Sequence, residues 1–359
     1  MVKRIYALVH VIKHKSAPAF AGVFILLFFC YNTFMTSTKK ILLSGVKPTG
    51  RPHIGNYFGA MKQFVDLQDE YDARVFIADY HAITTVQNAK ELSQNTFDVA
   101  LDYLAIGIDP KKTLLFKQSD IPEVCELGWI FNCITTMPYL MRAHAYKDAE
   151  AKNKEINVGL FDYPLLMASD ILIQSADVVP VGQDQKQHVE YARDTAEKFN
   201  RIFGDTFKLP NALILEHVKI IPGTDGQKMS KSYGNTISLF AEDDEIKKAV
   251  MSIPTNSQGV DEPKDPEIDH VFALHKHFAD KQEIAEIEKR YREGGLGYKE
   301  SKEILIANIT KFIASLREKR KEFAKDPEAV GKILKENGEK ARELAREKME
   351  VVRKAVGLS

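Results

Sequence analysis

Two short stretches hold residues whose types and spacing suit chemistry on a phosphate chain. In "GTDGQKMSKSYGN" (Gly223 to Asn235), Lys228 and Lys231 flank Met229 and Ser230, with Ser232 next, in a loop bounded by glycines. Two ammonium groups three residues apart on such a loop can follow a triphosphate as charge builds on a departing pyrophosphate. A solvated basic loop would explain the charges but not the whole pentapeptide. In "KPTGRPHIGNYFGA" (Lys47 to Ala60), a Gly/Pro turn joins an apolar run to a helix expected near Ile54. The first amides of a helix and its dipole favour an anion there. His53 and Asn56 are expected to add donors at the same edge, and Gly55 lets a base or phosphate approach the backbone. Lys47, Pro48 and Thr49 form the turn. By itself an H-x-G-N segment after a strand is weak evidence.

A third stretch offers a pocket. In "DYPLLMASDILIQSADVVPVGQDQKQHVEYARDTAEKFN" (Asp162 to Asn200), Pro164 suits the first turn of a helix. Tyr163, Met167 and Asp170 then lie at i, i+4 and i+7 on one face. A large apolar ring with one N–H donor needs one acceptor and soft walls. Asp170 can supply the acceptor and Met167 a wall.

The elements that must position these residues alternate β and α from Lys40 onward. "ILLSG", "RVFIADYHAIT" (Arg74 to Thr84), "TLLFKQ" (Thr113 to Gln118) and "DVVPVG" (Asp177 to Gly182) read as buried parallel strands. Tyr57, Phe58, Met61, Phe64 and Val65 recur at helical spacing between the first two. This predicts an α/β fold: a doubly wound parallel sheet, Rossmann-like, holding ligands at the carboxyl ends of its strands. His81 is expected at the end of its strand. After Leu239 a charged helical region runs to the C-terminus, with "DPEAVGKILKENGEKARELAREKMEVVRKAV" expected as a surface helix pair broken at Gly338. The expected division is an extension (1–34), a Rossmann-like domain (35–239) and an all-helical domain (240–359).

Composition excludes little. Acidic and basic residues balance at 50 each among 359 residues, so a polyanion partner requires charge segregated onto one face. The three cysteines, Cys30, Cys125 and Cys133, form no C-x-x-C pair, against a disulfide framework or a zinc site. Cys125 and Cys133 are expected in a packed core. The N-terminus is basic, then continuously apolar from Ala19 to Tyr31. It reads as an export signal, a membrane anchor, or translated upstream sequence with Met35 as the working start, the last being expected.

K-M-S-K-S following H-I-G-N after several β-α units resembles the signature pair of class I aminoacyl-tRNA synthetases. The Asp162–Asn200 stretch closely resembles the tryptophanyl-tRNA synthetase family, over Lys40 to the C-terminus. Tyrosyl relatives carry Gln where Met167 stands. The resemblance implies ligation of tryptophan to tRNA(Trp) through an adenylate, with ATP as substrate and Mg2+ carried on it. It implies Lys228, Lys231 and His53 as catalytic residues. The nucleotide would meet the first motif and Lys228 to Ser232, as well as Gly182, Gln183, Asp184 and Ile220. Tryptophan would meet Tyr163, Met167, Asp170, Gln185, His81, Val179 and Val181. His188, one turn after Asp184, reads as structural. The chain departs from the family's usual Gln and Thr at Lys47 and His53. A homodimer, cytoplasmic location and anticodon reading by Lys and Arg between Lys319 and Lys354 are further implications. The C-terminal half has no cysteine, which excludes the family's iron–sulfur variant. Alternatives are a tyrosyl-specific enzyme, a small-molecule adenylyltransferase and a noncatalytic paralogue.

Overall fold

The computed structural model describes residues 39–152, 155–182, 186–214 and 221–359. The N-terminal extension and Cys30 lie outside the described residues. The sheet is built from β1 (Ile41–Val46), β2 (Asp72–Ile77), β3 (Thr113–Lys117), β4 (Val178–Val181) and β5 (Asn211–Ile214). All its pairings are parallel, in the order β3-β2-β1-β4-β5. The chain moves outward from β1 through β2 to β3, then crosses back to lay β4 on the other side of β1. That reversal opens a crevice above the carboxyl ends of β1 and β4, where a doubly wound sheet takes its ligands.

The strands are apolar because both faces of the sheet are covered. The first motif becomes α1 (Ile54–Asn56), a π-helical turn (Tyr57–Met61) and α2 (Lys62–Leu67). Next in the chain come α3 (Asp79–Ile83), α4 (Ala89–Ile106), α5 (Glu123–Ile134), α6 (Met137–Leu140), α7 (His144–Ala151), α8 (Val158–Ile173) and α9 (Lys186–Phe203). One face of the sheet packs Leu43, Phe76 and Phe116 against α5, α8 and α9. The other packs Val75, Ile77 and Leu115 against Met61, Phe64 and α4.

After Leu239 the regular elements among the described residues are helices: α10 (Asp243–Met251), α11 (His270–Phe278), α12 (Lys281–Glu293), α13 (Tyr298–Ala324) and α14 (Pro327–Val356). They share cores with the sheet region. Ala341, Ala345, Met349 and Val352 of α14 join the first cluster, and Leu316, Val330 and Leu334 join the second. Residues Lys40–Ser359 thus form one compact unit. Among the described residues no helix is long and apolar enough to cross a membrane.

Three expectations are corrected. The expected break at Gly338 is absent, and α14 is one continuous 30-residue helix. An interior glycine costs a helix only about 1 kcal/mol, and here close packing requires it, since a Cβ would fall 2.6 Å from Asp120 Oδ2. The second strand ends at Ile77, so His81 sits in α3 rather than at a strand end. Cys125 and Cys133 are exposed rather than packed. They share an apolar but uncovered face of α5 with Trp129, which is 71% exposed.

Candidate functional site

The first motif leaves β1 at Val46 and turns into α1 at His53. Its helix start differs from the open anion nest expected. His53 is the N-cap: its Nδ1 accepts the Asn56 amide at 3.2 Å, and Asn56 Oδ1 accepts the His53 amide at 3.1 Å. The Ile54 amide donates to Ile237 O at 3.0 Å. Two of the first three helix amides are therefore occupied by protein. Because Nδ1 is an acceptor, the His53 proton resides on Nε2. Burial, with a contribution from Lys231, pulls this imidazole down to about 4, so it is a neutral donor near pH 7. Gly55 has a local reason to be glycine: a Cβ would lie 2.9 Å from His53 Nδ1 and 3.2 Å from Met229 Cβ.

That contact shows how the two lysine-bearing segments meet. His53 and Ser238 form an antiparallel bridge, and Met229 shares a buried cluster with Ile54, Ile221, Ile237 and residues of α10, α11 and α13. Lys231 Nζ donates to Thr49 O at 3.1 Å, and burial lowers its basicity. Lys47 Nζ donates to Thr84 Oγ1 at 2.9 Å and is likewise lowered by burial. Sequence reasoning missed Asn235, the buried residue that shapes this loop. Its Oδ1 accepts the Ser230 amide at 2.8 Å, and its Nδ2 donates to Asp225 Oδ1 at 2.7 Å and Lys228 O at 3.2 Å. Its place in the Gly-flanked stretch was the available signal.

At the other end of the crevice, α8 carries the pocket face. The helix begins at Val158, with Asn157 Oδ1 capping the Leu160 amide at 2.8 Å, so Pro164 is interior rather than in the first turn. A proline there forgoes one helix hydrogen bond, which the strong cap upstream helps the helix withstand. The face survives the correction. Asp170 is 4% exposed. It accepts Gln118 Nε2 on both oxygens, 3.0 Å at Oδ1 and 2.8 Å at Oδ2, and faces His81 Nε2 at 3.1 Å. Burial pushes its carboxyl up, while the His81 and Gln118 hydrogen bonds pull the other way. Tyr163 packs edge-on to His81 and its hydroxyl meets His188 Nε2 at 2.9 Å, which gives His188 an orienting role. Met167 and Val181 are partly buried against the same cluster that contains Val179.

The family profile described as tRNA synthetases class I (W and Y) matches residues 35–314. The tryptophan–tRNA ligase of Fusobacterium nucleatum is 50% identical over 322 residues, covering 89% of this chain and 98% of that one. That of Rhodopirellula baltica is 48% identical over 317 residues, covering 88% and 99%. This chain belongs to the tryptophan–tRNA ligase family. The crystal structure of Campylobacter jejuni tryptophanyl-tRNA synthetase complexed with ADP and tryptophan superposes with a TM-score of 0.85 at 45% identity, covering 89% of this chain and 100% of that one. Membership makes the chain an aminoacyl-tRNA ligase of the class I, Rossmann-like type.

Among the expected residues, the structure joins Lys231 to Thr49, His53 to Asn56 and Gly55 to His53 and Met229. Elsewhere it joins Asp170 to His81 and His81 to Tyr163, while Met167, Val179 and Val181 belong to one large hydrophobic cluster. Gly182 follows β4 at the crevice. Gln183, Asp184, Gln185 and Ile220 lie outside the described residues. The basic stripe expected between Lys319 and Lys354 is largely committed to the protein itself. Arg320 pairs with Asp98 and Asp102, Arg342 and Arg346 with Glu123, and Arg353 with Glu126, while Lys348 donates to Thr206 O. Lys319, Lys325, Lys335, Lys340 and Lys354 are exposed.

Proposed function

We propose that this chain joins L-tryptophan to tRNA(Trp) in two steps at the crevice between β1 and β4. A tryptophan carboxylate oxygen attacks the α-phosphorus of ATP, and the bond to the β-phosphate oxygen breaks, giving tryptophanyl-adenylate and pyrophosphate. A hydroxyl of the 3′-terminal adenosine of the tRNA then attacks the acyl carbonyl, and AMP leaves. The observation that carries this reading is Asp170: a buried carboxylate on an apolar helix face, held by Gln118 and His81. One lone pair of its Oδ1 receives the indole N–H, with Met167, Val179 and Val181 as walls and His81 and Tyr163 at the rim. A ring without that N–H leaves the acceptor unpaired, so discrimination is sharp.

At the other end, Lys228 and Lys231 take up charge on the pyrophosphate, with Ser230, Ser232 and the Lys47–Thr49 turn around it. His53 offers its Nε2 proton as a hydrogen bond rather than acting as a general acid. Asn56, Gly182, Gln183 and Asp184 hold the nucleotide, Ile220 meets adenine, and Gln185 meets the substrate amine. Magnesium belongs to the ATP substrate: the side chains nearest the triphosphate path are lysines, which repel a bare dication and suit an anion that brings its own counterion.

Partners follow. Residues 35–239 do the chemistry and 240–359 read the anticodon through the exposed lysines of α13 and α14. The chain acts as a homodimer in the cytoplasm. Support for the dimer is the uncovered face of α5 and α6, where Trp129 and Met137 are 71% and 65% exposed beside Cys125 and Cys133. The test is amino-acid-dependent ATP–pyrophosphate exchange on protein starting at Met35, with tyrosine and phenylalanine as controls and Asp170→Ala alongside. Exchange with tryptophan alone, lost in the variant, is expected. Exchange with tyrosine instead would overturn the assignment of the Met167–Asp170 face.

A further inference from the structure

Gln118 lies just past β3, in a 3-10 turn (Gln118–Asp120), and is 1% exposed. Its side chain is locked from both ends. Oε1 accepts the backbone N–H of His81 at 3.2 Å, which obliges Nε2 to face Asp170. Turning the amide over would aim two oxygens at each other and leave the His81 amide unpaired. The turn itself is held in place. The Ser119 amide donates to Asp79 Oδ1 at 2.9 Å and the Lys117 amide to Asp120 Oδ2 at 3.0 Å. From outside, α14 presses Gly338 onto Asp120.

An ionised carboxylate oxygen has about two acceptor positions. On Oδ2 of Asp170 both are filled, by Gln118 at 2.8 Å and His81 at 3.1 Å. On Oδ1, among the described residues, only Gln118 is present, at 3.0 Å. We propose that Gln118 is a specificity-determining positioning residue: its locked amide fixes the Asp170 carboxylate so that one lone pair of Oδ1 is the single acceptor offered to the amino acid's ring N–H. This rests on the reading of the face as the tryptophan pocket. Gln118 does not touch the reacting atoms; it sets where the acceptor points. Without it the carboxylate turns toward His81, and the pocket loses the direction that distinguishes a ring N–H from an apolar edge.

The test compares tryptophan with its sulfur isostere, β-(benzothiophen-3-yl)alanine, which has the same shape and no donor. ATP–pyrophosphate exchange is measured for the full chain and for Gln118→Met. The expected result is a tryptophan KM raised about 10- to 100-fold, as for a misdirected buried hydrogen bond to a charged group, with kcat changed less than about 3-fold. The isostere's constants should move less than about 3-fold, so the preference for tryptophan shrinks by nearly the whole KM factor. Gln118→Leu is the second variant, should the methionine protein not fold. It removes the donor without setting a second carboxyl beside Asp170, and should lose the preference as well. Equal losses for both substrates, or a fall in kcat with the preference intact, would show a merely structural role and overturn the proposal. A parent protein that exchanges equally with both substrates would refute the pocket reading itself, and a parent that prefers tryptophan isolates the result to Gln118.

Discussion

Replacing Asn235 with alanine should slow adenylate formation while leaving tryptophan binding intact. The side chain makes three hydrogen bonds inside the lysine loop, at 2.8 Å to the Ser230 amide, 2.7 Å to Asp225 and 3.2 Å to Lys228 O. Each contributes about 0.5–1.5 kcal/mol net, and their loss strands the Ser230 amide between the two lysines, for a total of about 2–4 kcal/mol. The cost falls on the loop, because its base is held independently: Met229 N–H bonds to Ile221 O at 3.2 Å, and Gly223 N–H bonds to Gln227 O at 2.6 Å. If the ordered loop is what brings Lys228 and Lys231 to the pyrophosphate, about 3 kcal/mol translates into roughly a 100-fold fall in kcat. Asn235→Asp keeps the acceptor but sets a carboxylate against Asp225, and should be nearly as slow. The assay is ATP–pyrophosphate exchange over a range of tryptophan concentrations, with thermal unfolding in parallel. An unchanged kcat would refute the argument, and so would a tryptophan KM that rises by as much as kcat falls.

Two further outcomes are expected. His53 and His275 are both buried and pulled from 6.5 to about 4. The unfolded chain therefore takes up their protons first as pH falls. Their contribution is full above about pH 6.5 and is lost on descending through about pH 4, by up to roughly 3 kcal/mol each. Urea unfolding of the parent and His275→Gln should show the parent's advantage shrinking between pH 7 and 4; a constant difference would refute this. Gly338→Ala gains about 1 kcal/mol of helix propensity, but its Cβ would meet Asp120 atoms at 2.6–2.9 Å. Overpacking costs about 1–3 kcal/mol, so a lower melting temperature is expected, with a higher tryptophan KM as the 118–120 turn shifts. A stabilised variant would show that α14 does not press on that turn.

Much of this protein was determined by local pattern. Strands buried on both faces need unbroken apolar runs, which is why β1, β3 and β4 were legible. The spacing of Tyr163, Met167 and Asp170 put them on one helix face wherever that helix began. The lysine loop and the H-I-G-N turn were visible because their chemistry is written in consecutive residues. What only the tertiary structure decided depends on partners far away in the chain. Gln118 and Asp170 are 52 positions apart, and Lys231 and Thr49 are 182 apart. No local period records such pairs. His53 became a neutral cap rather than an open anion donor chiefly because the fold buries it, with Lys231, 178 positions on, adding to the effect. Gly338 read as a helix break because its reason is a carboxylate on a turn more than 200 residues earlier. Cys125 and Cys133 read as core because an apolar helix says how much of itself must be covered, while the neighbouring elements decide which face stays open.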